Sequence, residues 1–258
     1  MKVGTAGWTL PTQWQEHFPA SASHLERYAA LFDCVEINST FYKAHRRATF
    51  ARWSASVPGH FRFSVKVPRA ITHDQSLVAT DVLLAVFLDE VSALGNRLGP
   101  LLIQLPPSLV FNRATADEFF GVLRSMHPGL VVCEPRHASW FETDADALLG
   151  SYRVARAVAD PAPVPAAMTP GGWRAMHYTR LHGSPRMYYS SYSASFLDAI
   201  AAEEDASSEQ WCIFDNTASG VAIGDALALR ARLASGRGVR EDHSSIRVGQ
   251  ADRVVRAE

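Results

Sequence analysis

The sequence predicts an α/β fold, a TIM-like (β/α)8 barrel of parallel strands with an irregular or missing helix after strand six. Short apolar runs alternate with helical patterns about eight times along the chain. Runs of this kind are typical of strands buried on both faces of a parallel sheet. Most of them end in polar or ionisable residues. Because a buried charge is costly unless it is paired, charges collected at one end of such strands indicate a site.

Apolar runs bounded by turn signals predict eight strands. These strands cover residues 2–5, 34–38, 62–67, 101–105, 130–134, 154–159, 175–181 and 211–214. Gly4 and Gly7 break the chain around the first strand. The pair Pro58-Gly59 ends the helix before the third strand. The fourth strand stops at Pro106-Pro107, because proline cannot continue a ladder of backbone hydrogen bonds.

Helical periodicity predicts helices between most of these strands. We expect them near residues 21–32, 48–56, 76–94, 114–126, from 143 onward, 194–204 and 224–234. The serine-rich start at Ser21 suits helix capping, and Asp144 and Asp146 favour a first helical turn. Four prolines and two glycines over residues 161–172 predict a loop in place of a full sixth helix. An open doubly wound sheet is the main alternative, but Gly4-Thr-Ala-Gly7 matches its glycine-rich phosphate turn only weakly.

Length and composition limit the classes of protein that fit. A chain of 258 residues suits a single α/β barrel, and we expect one domain over 1–235 and a poorly ordered polar tail over 236–258. With 25 basic and 26 acidic residues, net charge does not support coating of a nucleic acid. Three scattered cysteines do not form a disulfide framework. Without an apolar run of about 20 residues or a signal-peptide pattern, we expect a cytoplasmic protein with no membrane contact.

Candidate site residues lie at the carboxyl ends of the predicted strands, where barrels carry their function. Residues two apart in a strand share a side, so Arg180 and His182, for example, point the same way. We predict four catalytic residues: Glu36, Glu134, His137 and His182. We predict eight substrate-binding residues: Asn38, Tyr42, Lys66, Gln104, Arg136, Trp140, Arg180 and Asn216.

These residue types fit acid–base chemistry on an anion. Lys66, Arg136 and Arg180 would hold a phosphate or carboxylate group. Glu36 or Glu134 would act as the base, with His137 or His182 as the acid. The alternative is that the cations only neutralise the two glutamates. We assign no cofactor and no metal ligands; a divalent metal stays an alternative, although no His-x-His spacing supports one and the nearby cations would repel it.

The sequence resembles the YecE-like family, domain-of-unknown-function family 72. The matching strings run in order from about residue 2 to residue 233: Gly4-Thr-Ala-Gly-Trp8, Val35-Glu-Ile-Asn-Ser-Thr-Phe-Tyr42, Phe63-Ser-Val-Lys66, Gln104-Leu-Pro-Pro-Ser108, Glu134-Pro-Arg-His-Ala-Ser-Trp140, Arg180-Leu-His-Gly183 and Asn216-Thr217. Ala6 and Asp215 stand where the family more often has serine and asparagine. The resemblance implies a TIM-like βα barrel and supplies no activity or substrate.

Three functions therefore stay open at this point. The first is an enzyme that performs acid–base chemistry on a small polar anionic substrate, phosphorylated or carbohydrate-like. The second is a non-catalytic protein that binds an anionic metabolite or a nucleic-acid end. The third, which rests on fold analogy alone, is a metal-assisted phosphoester hydrolase.

Overall fold

The computed structural model describes residues 1–20, 22–205 and 207–236. The tail predicted over 236–258 lies, beyond Gly236, outside the described residues. None of the helices in the described ranges is long and apolar enough to cross a membrane.

The described part of the chain alternates strands and helices. The strands are β1 (Lys2–Thr5), β2 (Cys34–Ile37), β3 (Arg62–Lys66), β4 (Leu98–Gln104), β5 (Val131–Glu134), β6 (Val154–Arg156), β7 (Val158–Asp160), β8 (Gly171–Gly172), β9 (Met176–Leu181) and β10 (Glu209–Phe214). The helices are α1 (His24–Ala29), α2 (Arg47–Ala55), α3 (Asp81–Ser92), α4 (Arg113–Met126), α5 (Thr143–Ser151) and α6 (Ala194–Ala202). Residues 222–236 are also helical.

The strands form two sheets with mostly parallel pairing. One sheet has the order β1-β10-β9-β7, and the other has the order β2-β3-β4-β5-β6-β8. Among the strands of the described ranges, only β8 pairs in the antiparallel sense, against β6. The fold is therefore a mixed α/β fold with parallel sheets, as predicted at that level. A closed barrel is not confirmed, because the described strands do not form one continuous sheet.

The two sheets are connected at two places. Between β1 and β2, Ala6 bridges to Glu36 in the parallel sense, and the Gly7 N–H donates to the Glu36 carbonyl at 2.8 Å. At the other place, β6 and β7 follow each other with only Ala157 between them. β6 pairs with β5 in one sheet and β7 pairs with β9 in the other. The single sixth strand that the sequence predicts is thus divided between the two sheets.

The core has two parts. The larger part packs helices against the outer faces of the strands. The smaller part contains Leu102 and Val132 from one sheet with Tyr178 and Trp211 from the other, all at most 1% exposed. Since side chains from both sheets share this cluster, burial of apolar surface holds the sheets together.

One helical prediction differs from the structure, and the predicted irregular connection over residues 161–172 agrees with it. The long helix expected over 76–94 begins only at Asp81. Ser76, Leu77 and Ala79 have positive φ values, which a right-handed helix excludes, and a π-helical turn over Ala70–Asp74 precedes them. After β7 the chain forms a short 3-10 helix (Pro165–Met168) and β8, in line with the irregular connection that the prolines predict.

Gly4→Ala tests the close approach of β1 to β2. A Cβ at Gly4 would overlap the backbone carbonyl of Cys34, which cannot move without separating the two strands. We expect the variant to lose about 1–3 kcal/mol of unfolding free energy in urea titrations. Gly59→Ala is the control, because a Cβ there meets nothing within 4 Å. Equal stability of the two variants would contradict this packing.

Candidate functional site

A group of ionisable side chains meets at the carboxyl ends of the parallel strands. We name it the ion cluster, and it consists of Glu36, Glu134, Arg136, Arg180, His182 and Asp215. Its members come from β2, β5 and β9 and from the residues that follow β5, β9 and β10. Parallel strands place their carboxyl ends on one edge, which brings together residues as far apart as Glu36 and Arg180.

Arg180 lies at the centre of the ion cluster and is fully buried. Its Nε and Nη2 donate to the two carboxylate oxygens of Glu36, at 2.9 and 2.6 Å. Nη1 donates to Glu134 at 2.6 Å, and Nη2 also donates to Asp215 at 2.9 Å. Because three protein carboxylates surround this guanidinium, it is not open to a substrate. The predicted anion-binding role of Arg180 is therefore replaced by a role in holding the carboxylates.

His182 lies between two carboxylates of the ion cluster. Its Nδ1 is 3.0 Å from Asp215 Oδ2, and its Nε2 is 2.9 Å from Glu134 Oε1. Burial by itself would lower the pKa of His182, but the Glu134 charge and the hydrogen bonds to Asp215 and Glu134 outweigh it, so the pKa is raised. A protonated His182 donates from both ring nitrogens, which is the state this pair of carboxylates favours.

The pKa values of two carboxylates in the ion cluster are lowered. Burial would raise the pKa of Glu134, but Arg180, Arg136 and His182 together hold it well below its usual range. The pKa of Asp215 is likewise lowered, with burial opposed first by Arg180 and then by the hydrogen bond to His182. These two groups are therefore ionised at neutral pH.

Arg136 connects the ion cluster to solvent. Its Nη2 donates to Glu134 at 2.6 Å and lies 2.9 Å from His182 Nε2. The side chain is 14% exposed, whereas Glu134 is 1% exposed. Arg136 Nε is buried and has no hydrogen-bond partner among the described residues. A guanidinium with a spare donor at the solvent edge suits contact with an anion.

Lys66 is the second cation at this edge. It ends β3, is 7% exposed, and its Nζ lies 4.2 Å from the centre of the Phe41 ring. Among the described residues, no carboxylate oxygen lies within ion-pair distance of Nζ. Burial, followed by the positive charge of Arg180, lowers the pKa of Lys66, and the charges of Glu36, Glu134 and Asp215 oppose this shift. We call the region at the carboxyl ends that holds Lys66, Arg136, Asp215 and Tyr188 the mouth; Tyr188 and Arg136 are its more exposed side chains, and Lys66 and Asp215 are largely buried.

Two tyrosines belong to this region and were not among the predicted site residues. The Tyr178 hydroxyl is 2.8 Å from both Glu36 and Ser64, beneath the ion cluster. The alternation along β9 that pairs Arg180 with His182 also pairs it with Tyr178, so this residue was predictable. Tyr188 packs edge-on against His182, with ring centres 5.9 Å apart, and is 42% exposed. It lies in a loop, where alternation gives no signal.

The other predicted site residues lie outside the ion cluster. His137 bonds to Ser139 and caps a short 3-10 helix, so the contacts of its Nδ1 are local. Trp140 is 1% exposed and donates to the Leu109 carbonyl, which makes it a core residue. Tyr42 is 79% exposed. Asn216 is fully buried and donates to Ser190 and Asp225, away from the ion cluster.

Two polar residues remain at the edge of the ion cluster. The Asn38 amide contacts Asp215 at 3.4 Å, and its buried Oδ1 has no hydrogen-bond partner among the described residues. Gln104 ends β4 beside Glu134 in the register of the sheet and is half-buried. Both residues have polar atoms that can still accept or donate a hydrogen bond.

The donor set does not favour a metal ion. In the described ranges, no group of three or more His, Cys, Asp and Glu side chains is arranged to hold one. The carboxylates that would serve as ligands instead surround the Arg180 guanidinium. This positive group occupies the position that a cation would need.

A separate cavity of about 670 Å³ lies at the opposite end of the strands. It is lined by residues such as Lys2, Arg62, Leu98 and Glu209, which begin their strands. Lys2 is paired with Glu209 at 2.8 Å. We assign chemistry to the ion cluster and not to this cavity, because the buried charges with shifted pKa values lie at the carboxyl ends.

Comparison with known proteins places the chain among proteins of unknown function. A family profile described as "Protein of unknown function DUF72" matches residues 2–247. The UPF0759 protein YecE from Escherichia coli K12 is 35% identical over 104 residues, which cover 40% of this chain and 37% of that protein. The protein of the same name from Escherichia coli O157:H7 matches to the same extent. The alignment thus spans well under half of these curated relatives.

Solved structures show a similar fold. A DUF72 family protein from Thermotoga maritima superimposes with a TM-score of 0.73 at 24% identity, covering 90% of this chain and 98% of that one. A DUF72 family protein from Enterococcus faecalis gives a TM-score of 0.74 at 17% identity, covering 90% and 95%. At these identities the likeness concerns the fold alone.

Arg180→Leu tests whether the guanidinium holds the three carboxylates. We expect a loss of about 3–5 kcal/mol of unfolding free energy at pH 7, because buried carboxylates would lose their partner. The lowered pKa values of Glu134 and Asp215 contribute stability above their ordinary values of 4.5 and 3.8, and this is lost as the pH falls through the folded values. The difference in unfolding free energy between the wild type and the Arg180→Leu variant should therefore become smaller below about pH 4.

The control for this experiment is Arg69→Leu. Arg69 pairs with Asp74 at the surface, with 58% of its side chain exposed. Loss of this ion pair should change the unfolding free energy by about 0–1 kcal/mol. A similar small effect in Arg180→Leu would contradict the central role of Arg180.

Proposed function

We propose, on the premise that this chain belongs to the DUF72 family of proteins of unknown function, that it is an enzyme acting on a small anionic substrate by acid–base chemistry. The observation that carries the proposal is the placement of the buried His182 between Glu134 and Asp215, beside Arg136, which reaches solvent. Perturbed pKa values of this kind occur more often at functional sites than elsewhere.

We further propose that the two sheets close into a TIM-like barrel. The Ala6–Glu36 bridge on one side and the consecutive β6 and β7 on the other support closure. In such a barrel the ion cluster would lie at the carboxyl-end face, which is the usual place for an active site.

In this proposal the roles divide by exposure and charge. Arg136 and Lys66 attract the anionic group of the substrate, since both reach the mouth. His182 donates or accepts the proton, and Glu134 and Asp215 set its protonation state. Asn38 and Gln104 supply neutral hydrogen bonds, and Tyr188 covers one side of the substrate. Arg180 acts as a positioning residue, because its guanidinium is fully buried among three carboxylates.

His182→Gln tests the proton-transfer role. Glutamine keeps a hydrogen-bonding group of similar reach but cannot carry a proton at neutral pH. Once a panel of small sugar phosphates and carboxylates yields a turned-over substrate, we expect kcat to fall about 10²–10⁴-fold in this variant. His60→Gln, at the opposite end of the strands, should keep the wild-type rate. Full activity in His182→Gln would contradict the assignment, and binding without turnover of any compound would favour the non-catalytic alternative.

Arg136→Met tests anion binding with inorganic phosphate as the probe, measured by calorimetry. Loss of a charge-assisted hydrogen bond should weaken binding about tenfold or more. For the wild type, binding should also weaken with added salt and as the pH rises through the raised pKa of His182, because a positive charge is lost. Arg113→Met, a change at an exposed ion pair, is the control. Equal phosphate affinity in both variants would exclude Arg136 as the contact.

A further inference from the structure

We propose that Lys66 is a nucleophile that forms a Schiff base with a carbonyl group of the substrate. This inference rests on the proposed function, since it uses the same mouth, and it adds the substrate class: an anionic aldehyde or ketone. The geometry behind it is an amine at the carboxyl end of β3 that is nearly buried, lies 4.2 Å from the centre of the Phe41 ring and lacks an ion-pair partner among the described residues.

The use of lysine at this position is unusual for this chain. The sequence contains 22 arginines and only three lysines: Lys2, Lys43 and Lys66. Lys2 pairs with Glu209, and Lys43 is exposed. A purely electrostatic role at the mouth could be filled by arginine, which cannot lose its proton in a protein. Lysine provides what arginine does not, an amine that becomes a nucleophile when neutral.

Burial, joined by the positive charge of Arg180, favours the neutral amine of Lys66, whereas the charges of Glu36, Glu134 and Asp215 oppose this shift. Three carboxylates of the ion cluster face three cations, namely Arg180, Arg136 and protonated His182. No carboxylate is left over for the Lys66 ammonium. The further groups that face Lys66 are the Phe41 ring at 4.2 Å and His73, whose pKa is lowered by burial and then by the charge of Lys66. Burial and Arg180 lower the pKa of Lys66 in the same sense.

The step balances without an oxidant or a reductant. The Nζ lone pair attacks the carbonyl carbon, so a C–N bond forms and the C=O double bond becomes a hydroxyl group. That oxygen then leaves as water, with both of its protons derived from the amine in the neutral imine. One further proton on the imine nitrogen, from His182 or solvent, gives an iminium ion. The iminium carries one positive charge, which is favourable beside Glu36, Glu134 and Asp215.

The test is reductive trapping of the full-length wild-type protein. Dihydroxyacetone phosphate, pyruvate and glyceraldehyde are incubated separately with the protein, and sodium borohydride is added. Hydride adds to the imine carbon and leaves a stable secondary amine, which peptide mass spectrometry locates. With three lysines in the chain, each site is assigned directly, and Lys2 and Lys43 serve as internal controls. We expect a saturable adduct on Lys66 with the phosphorylated ketone, reduced by excess inorganic phosphate.

Lys66→Arg is the matched variant, since it keeps the positive charge and removes the amine. In this variant we expect no adduct at position 66 above the level at Lys43, because an arginine side chain does not form the imine. If wild-type Lys66 is labelled no faster than Lys43 by all three compounds, the Schiff-base inference is overturned, even where phosphate still binds through Arg136. An adduct on Lys66 in a protein that does not bind phosphate would instead support the nucleophile and contradict the anion-binding part of the proposed function.

Discussion

The structure depends on one buried guanidinium. Arg180 is fully buried and joins Glu36, Glu134 and Asp215, which come from β2, from β5 and from the residue after β10. Removal of a charged group from water is expensive, so each carboxylate must reach Arg180 with good geometry. This requirement fixes how the carboxyl ends of strands from both sheets lie relative to one another. It also leaves His182 with two carboxylate neighbours, which raises its pKa.

Position along a strand was the part of the site that sequence could predict. Glu36, Lys66, Glu134 and Arg180 all end apolar runs, and the structure brings them to one edge because the strands are parallel. The side chains of Arg180 and Arg136 are identical in chemistry, and both were predicted to bind substrate. The difference arises from depth: Arg180 lies within β9, whereas Arg136 follows β5 and reaches solvent. Trp140 and Asn216 contact the Leu109 carbonyl and Asp225, and these partners are set by loop packing that the sequence does not reveal.

In the fold as well, features set by the local sequence could be predicted, whereas features set by long-range pairing could not. Strand positions could be predicted from apolar runs, to within a few residues for most strands. The break of the sixth strand at Ala157 could not, because it reflects pairing with β5 on one side and β9 on the other. The delayed start of α3 arises from positive φ values at Ser76, Leu77 and Ala79. None of these three residues is a glycine, the residue type that readily adopts a positive φ.

Tyr178 helps to keep the ion cluster apart from the other end of the strands. Its hydroxyl bridges Glu36 and Ser64, and its ring stacks on Trp211 with 6.0 Å between centres. Together with Leu102 and Val132, these rings form an apolar floor that separates the buried charges from the cavity at the amino ends of the strands. The buried charges and the cavity therefore belong to separate polar regions of the molecule, and an apolar layer insulates one from the other.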